Sequence, residues 1–357
     1  MTKEEEKYLF WLTSLSGLGL SFAQKFFERY KNMDKARSLS EMDIAKAEWM
    51  KPWEKNQFAK IYKLEGWQHE WEQLEKNHIS FYSYFHESYP ERLKHIDSPP
   101  KRLFVKGKLP DAAKLSVAVV GARNCTPYGR DMARMFGYRL AAAGVSVISG
   151  MALGIDGWGH QGALEAGGET YAVLGSGVMR CYPSCHQNLY ESIIRHGGVI
   201  SEFPVYARAK PVFFPMRNRI ISGLSDGILV VEAREKSGSL ITADAALEQG
   251  KDVFVIPGRI GDELSVGCNR LIRMGAVPVL TPDDILDYYG IKTSENSQNV
   301  DETEKKILTF LGGKTMHMDE ITAGLSLPVT QVLKSMIVLQ KKGYVIEVGR
   351  SFFMKKI

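Results

Sequence analysis

Cysteine is scarce in this sequence: 357 residues carry four, Cys125, Cys181, Cys185 and Cys268. The opening Met1-Thr2-Lys3-Glu4-Glu5-Glu6 is charged and acidic, not basic and then apolar as an export signal is. The thiols are therefore expected to be reduced, in a cytoplasmic setting, with no disulfide framework. Zinc-type ligand spacing is missing as well. Cys181, Cys185 and His186 come nearest, but no second ligand pair accompanies them, and a loop with small thiols is expected there, not a metal. No apolar run is long enough to cross a bilayer, so no membrane association is expected. No nucleophile–base pair emerges: His160, His186 and His196 are spread over helical positions, and no catalytic residue is assigned. Excess charge is small. Lys and Arg number 46 against 41 Asp and Glu, a net +5, which permits a polyanionic partner without demanding one.

What is present falls into four stretches. Residues 1–75 read as helices, with a tight turn at Leu15-Ser16-Gly17-Leu18-Gly19 and Ser21 as cap of a helix over 22–30. This Gly-Leu-Gly turn resembles a helix-hairpin-helix element, whose amides can touch a phosphate; a structural helical domain is the alternative. Residues 76–290 form the second stretch. After the alternating strand Ile79 to Tyr84 and a short strand at 103–107, apolar runs at 117–120, 145–148, 170–174, 199–200, 228–231 and 253–256 alternate with helical segments. Continuous short apolar runs separated by helices predict an α/β fold, a Rossmann-like doubly wound parallel sheet. Residues 291–303 are polar and aperiodic and read as a linker. Residues 304–357 predict three helices and a hairpin, a winged helix. Gln331, Lys334, Lys341 and Arg350 are its candidates for duplex DNA, and protein interaction is the other use of the fold.

The chemistry concentrates in two kinds of segment. In Phe214-Pro215-Met216-Arg217-Asn218-Arg219, two guanidinium groups follow a ring. Arginine forks fit phosphates and a ring offers a face to a base, so single-stranded nucleic acid is the simplest ligand. The second kind is the small-residue turn at the carboxyl end of each strand, where open α/β sheets bind ligands. These are Gly121-Ala122-Arg123, Ser149-Gly150 through Gly154-Ile155-Asp156, Gly175-Ser176-Gly177, and Lys236-Ser237-Gly238-Ser239-Leu240-Ile241-Thr242, the last opening a helix with free amides and hydroxyls. Thr126 is expected to cap the helix after the first turn, with Pro127 in its opening position. Asp156 reads as a helix cap or an acid. Glu202 and Glu232 read as partners of the arginines, or as an acid and base on a bound nucleotide. None of the turns is a Walker A sequence or has the spacing Gly-x-Gly-x-x-Gly, so no nucleotide cofactor is expected. Arg208, Lys210 and the rings of Phe213 and Phe214 would add charge and stacking at the rim.

On these motifs, together with Tyr182-Pro183, Ser201-Glu202-Phe203-Pro204, Val231-Glu232-Ala233 and Pro257-Gly258, the sequence closely resembles the DprA family of DNA-processing proteins over about residues 80 to 280. The helical N-terminal stretch is similar to that family's sterile-alpha-motif-like domain, and the tail to the winged helix of many members. The resemblance implies a non-enzymatic protein that binds single-stranded DNA in a pocket of the Rossmann-like domain, forms a homodimer through that domain and loads RecA onto incoming strands. It further implies that Arg123 clamps a phosphate, that Gly150, Ser176 and Gly177 line the pocket with amides, and that Phe214 stacks on a base. Arg217 and Arg219 would hold neighbouring phosphates or order the loop. A basic residue is frequent in the family where this chain has Pro211, so Lys210 or Arg208 would substitute. Two rivals share parts of the pattern. One is a nucleotide phosphoribohydrolase of the lonely-guy type, whose Pro-Gly-Gly-x-Gly-Thr turn is replaced here by Lys-Ser-Gly-Ser-Leu-Ile-Thr, with Glu248 downstream. The other is a regulator reading duplex DNA through the winged helix.

Overall fold

A computed structural model describes residues 2–291, 301–312, 314–341, 344–349 and 351–355. Most of the expected linker (292–300), Gly343 and Arg350 lie outside the described residues. The chain divides into two units, Met1–Ile285 and Leu286–Ile357.

The first unit is built on a nine-stranded sheet. Its strands are β1 (Ile79–Ser83), β2 (Arg102–Gly107), β3 (Ser116–Val120), β4 (Ser146–Ser149), β5 (Thr170–Val173), β6 (Gly198–Ser201), β7 (Gly227–Val230), β8 (Asp252–Val255) and β9 (Val277–Pro278). Their order is β1-β2-β6-β5-β4-β3-β7-β8-β9. From β6 to β9 every pairing is parallel, while β1 and β2 join antiparallel at the edge. The inner strands are buried along their length, which explains their continuous apolar runs: helices cover both faces, so no position is left for an alternating polar residue. From β3 the chain steps outward through β4, β5 and β6, then returns to lay β7 against the other side of β3, with Val117 opposite Gly227 and Val120 opposite Val230. This reversal of direction opens a crevice at the carboxyl ends of β3 and β7.

The sequence does contain one Gly-x-Gly-x-x-Gly spacing, at Gly157, Gly159 and Gly162, but it lies inside the helix Ile155–Glu165 and not at a strand end. Its use is packing. A β-carbon on Gly162 would stand 2.0 Å from the carbonyl oxygen of Arg134, so only glycine lets this helix lie against Pro127–Ala142. The latter helix begins as its sequence predicts. Pro127 occupies its first turn, and the Thr126 hydroxyl accepts from the Gly129 amide at 3.0 Å.

The helices before β1 hold their own aromatic core, with Tyr8, Trp11, Phe22, Phe26 and Phe58 buried. Phe10 carries that core to the sheet: its ring lies 5.2 Å from Phe81 of β1 and 6.1 Å from Phe104 of β2. Residues 1–75 therefore belong to the first unit. The cap expected at Ser21 is not formed. The helix Leu20–Arg29 starts two residues earlier, from Gly19, and leaves Ser21 in its first turn. Ser16 and Gly17 are exposed, but the carbonyls of the turn are engaged. Lys101 Nζ donates to the carbonyls of Leu18 at 2.7 Å and Leu15 at 3.3 Å, and Gln57 Nε2 donates to that of Ser16 at 2.9 Å, so the turn anchors this region to the sheet.

The second unit has helices Glu302–Leu311, Met318–Leu325 and Val329–Lys341. Its strands are β10 (Met316–His317), β11 (Val345–Gly349) and β12 (Phe352–Lys355), in the order β10-β12-β11, one strand more than the expected hairpin. Ile307, Leu311, Ile321, Val332, Met336, Leu339, Val345 and Phe353 form its core. Among the described residues no single helix is long and apolar enough to cross a membrane.

Candidate nucleic-acid interface

The crevice at the switch point is a cleft of about 540 Å³. One wall is the turn after β3, Gly121 to Asn124. The opposite wall is the segment after β7, with Arg234, Lys236 and Ser237-Gly238-Ser239. The start of the helix Phe213–Leu224 closes the end with Phe214, Pro215, Arg217 and Asn218.

Arg123 is exposed, and its guanidinium carbon lies 5.1 Å from the centre of the Phe214 ring. Tyr182 packs on the same ring at 5.5 Å. Phe214 can lie there because Gly175 has no side chain: a β-carbon at that position would stand 2.8 Å from Phe214 Cδ1. The turn after β5 thus works as a seat for the ring. Arginine, phenylalanine and tyrosine at one mouth combine a phosphate fork with stacking faces. Across the cleft, Arg234 and Lys236 are exposed cations. Arg234 pairs with Glu263 at 3.3 Å, an exposed pair that a phosphate can displace at little cost. Ser237 caps the helix Gly238–Glu248: its hydroxyl lies 2.8 Å from that of Ser239 and accepts from the Ser239 amide, while its carbonyl accepts from the Leu240 amide at 3.1 Å.

Arg217 plays a different part from a phosphate clamp. It is 4% exposed. Its Nη1 donates to the carbonyls of Gly150, at 2.8 Å, and Val173, and its Nε donates to Asn218 Oδ1 at 3.2 Å. Asn218 in turn donates to the Gly238 carbonyl at 3.2 Å. Together they tie the turns after β4, β5 and β7 under the cleft floor. Burial lowers the Arg217 guanidinium to about 10, against the nearby Asp156 carboxylate, which favours its charge. Burial likewise raises the Asp156 carboxyl, opposed by Arg217 and by the Gly150 amide, which donates to Oδ2 at 3.1 Å. Asp156 therefore fastens the preceding turn, and it is Gly154 that caps the helix.

Several expected contacts lie outside the cleft lining. Arg219, two residues beyond Arg217, emerges on the other side of the helix and pairs with Glu202 at 2.5 Å. Gly150 has committed its amide to Asp156 and its carbonyl to Arg217. The Gly177 amide donates to Ala207 at 2.9 Å, and the Ser176 hydroxyl donates to the carbonyl of Arg180 at 2.8 Å. Gly154 packs against the carbonyls of Ala122 and Arg123. Lys210 sits 5.6 Å above the Phe213 ring, while Pro211 takes the place in the wall. Gly121, Arg123, Phe214, Arg217, Asn218, Ser237, Gly238 and Ser239 are brought together there. Tyr182 and Arg234 join them although neither was singled out as a contact. Of the two glutamates, Glu202 pairs an arginine. Glu232 instead accepts from the amide and hydroxyl of Thr126 at 2.9 and 2.5 Å, holding the β3 turn in place. Among the described residues no three His, Cys, Asp or Glu side chains gather as metal ligands.

Fold and site together define a Rossmann-like protein whose switch-point cleft offers guanidinium groups and aromatic rings, the chemistry for a ligand made of phosphates and bases. A family model described as DNA recombination-mediator protein A matches residues 80–290, and the chain belongs to that family, DprA. Protein Smf of Escherichia coli is 39% identical over 272 residues, 72% of this chain and 73% of that one. DNA processing protein DprA of Streptococcus pneumoniae is 42% identical over 205 residues, 57% of this chain and 72% of that one. The X-ray structure of DprA from the same species superposes with a TM-score of 0.66 at 34% identity, over 79% of this chain and 97% of that one. A Helicobacter pylori DprA structure, described as showing a single-stranded DNA binding mode, gives 0.53 at 28% identity, over 59% and 95%.

Proposed function

We propose that this protein is a cytoplasmic single-stranded DNA-binding recombination mediator, acting in natural transformation as a homodimer that delivers the strand to RecA, and that the switch-point cleft is its DNA site. The observation that carries the binding step is the Arg123–Phe214–Tyr182 mouth. An exposed guanidinium beside two rings takes one phosphate and one base without reading sequence, which is what a sequence-tolerant single-strand site requires. Arg234 and Lys236 hold the neighbouring backbone. Membership of a recombination-mediator family, and a relative described as binding single strands, support the same reading. The phosphoribohydrolase alternative loses its general-acid candidate: Glu248 is exposed at the far end of its helix and does not line the cleft.

The test is fluorescence anisotropy with a labelled oligothymidylate and its duplex counterpart across a salt titration. Arg123→Ala is expected to weaken single-strand binding and to lower the slope of log affinity against log salt by about one contact, roughly 0.7. Unchanged affinity and slope would remove the cleft from the function. Release of free base from a nucleoside monophosphate would reinstate the enzyme.

A further inference from the structure

A second pairing of guanidinium with ring stands outside the cleft. Arg130, in the helix Pro127–Ala142, has its guanidinium carbon 5.8 Å from the ring centre of Trp158, in the helix Ile155–Glu165. Trp158 is 37% exposed. Packing does not call for an indole here. The neighbouring positions that face other elements, Gly157, Gly159 and Gly162, are glycines chosen for close approach, and Trp158 is turned away from them to the surface. Arg130 is also engaged by Asp131 at 2.9 Å. Both partners are exposed, so that pair contributes little and leaves the guanidinium able to exchange onto a phosphate.

The pair is continuous with the cleft. Gly154 lies against the carbonyl of Arg123, and the Trp158 amide donates to the Gly154 carbonyl at 3.1 Å, so one helical turn separates the β3 turn from the indole. Leu153, 43% exposed, lies on the same connecting loop. The chemistry repeats that of the cleft mouth, where Arg123 stands 5.1 Å from Phe214. Arginine planes and aromatic rings both accept unstacked bases, and an indole offers the larger face.

We propose that Trp158 and Arg130 form a second stacking platform for unpaired nucleotides, which receives the strand after it passes Arg123. This rests on the single-strand reading of the cleft. It lengthens the site across the carboxyl edge of the sheet, from the Phe214 side over the β3 turn to the outer face of the two helices.

The experiment compares labelled oligothymidylates of about 4 and about 16 nucleotides, the range over which a single-strand site extends. Two further long strands lack the bases of their 5′ or 3′ half. Trp158→Ala is expected to weaken binding of the long strand by about five- to a hundredfold and to leave the short one unchanged. Trp158→Phe restores most of the loss, and Arg130→Ala gives a smaller loss with a shallower salt slope. On one of the two half-abasic strands Trp158→Ala and the wild type bind alike, because the base that would stack is gone. If Trp158→Ala binds the long strand as tightly as wild type while Arg123→Ala does not, the platform is overturned and the cleft stands. Equal loss on short and long strands also overturns it, since the indole then acts through the cleft. If neither the wild type nor the Arg123 comparison shows single-strand binding, both readings fall together.

Discussion

At the scale of single residues, Arg123 and Arg217 differ in what their surroundings leave free. Both line the cleft, but the first is exposed and the second is buried beneath it with its donors on backbone carbonyls. Removing Arg217 would strand the carbonyls of Gly150 and Val173 and leave the Asp156 carboxyl buried without its countercharge. Arg217→Ala is therefore expected to lower stability by about 3–5 kcal/mol, read as a drop in the urea midpoint with an unchanged m-value. Arg123→Ala should stay within about 0.5 kcal/mol of wild type. Wild-type stability in Arg217→Ala, joined to lost DNA affinity, would return this arginine to the phosphate contacts. The difference between Arg217 and Arg219 was not legible in the sequence. Their charges read alike, yet a helix turns about 100° per residue, so residues two apart face opposite ways. Which way is inward is decided by the strands beneath: one side meets the turns after β4 and β5, the other meets Glu202.

At the scale of elements, the helix Ile155–Glu165 carries two buried ionisable groups from the cleft edge into the core. Asp156 is held up by burial. His160 is held down, to about 3 from an ordinary 6.5, chiefly by burial. The Thr170 hydroxyl donates its one hydrogen to the Val147 carbonyl at 2.8 Å, so it must accept from His160 Nδ1 at 2.6 Å, which fixes the neutral tautomer. Because the folded value lies below the unfolded one, the unfolded chain binds more protons between them. This stability is present above about 6.5 and is lost as pH falls toward about 3. His160→Gln should flatten that acid limb by a few kcal/mol in urea titrations run across those values. A limb of unchanged steepness would show that His160 does not contribute to it. The strands and the ligand edge of the sheet were legible because covered parallel strands are unbroken apolar runs whose carboxyl ends must turn in small residues. The work of each turn was not. Gly150, Ser176 and Gly177 read as free amides, but the fold spends the amides of Gly150 and Gly177 on Asp156 and Ala207 and the Ser176 hydroxyl on Arg180. Gly175 gives Phe214 its seat through a contact between segments nearly forty residues apart.

At the scale of the whole molecule, the cleft is complete within the first unit, and the second unit has a core of its own. The third helix of the winged-helix unit, which would enter a duplex groove, shows Val329, Leu333 and Ile337 to solvent at 58%, 47% and 50% exposure. Lys334 is exposed beside them. Duplex affinity depends chiefly on neutralised phosphates, and a helix with this face supplies few. Deleting residues 304–357 is therefore expected to leave oligothymidylate affinity within about twofold of the full chain, less than about 0.5 kcal/mol, and to leave the Arg123→Ala loss intact. Competition between duplex and single strand, run on both lengths of chain, decides the matter. If full-length protein prefers duplex and the preference disappears on truncation, recognition belongs to the winged helix and the cleft is secondary. If the single-strand preference survives truncation and still depends on Arg123, the strand is held where β3 and β7 part.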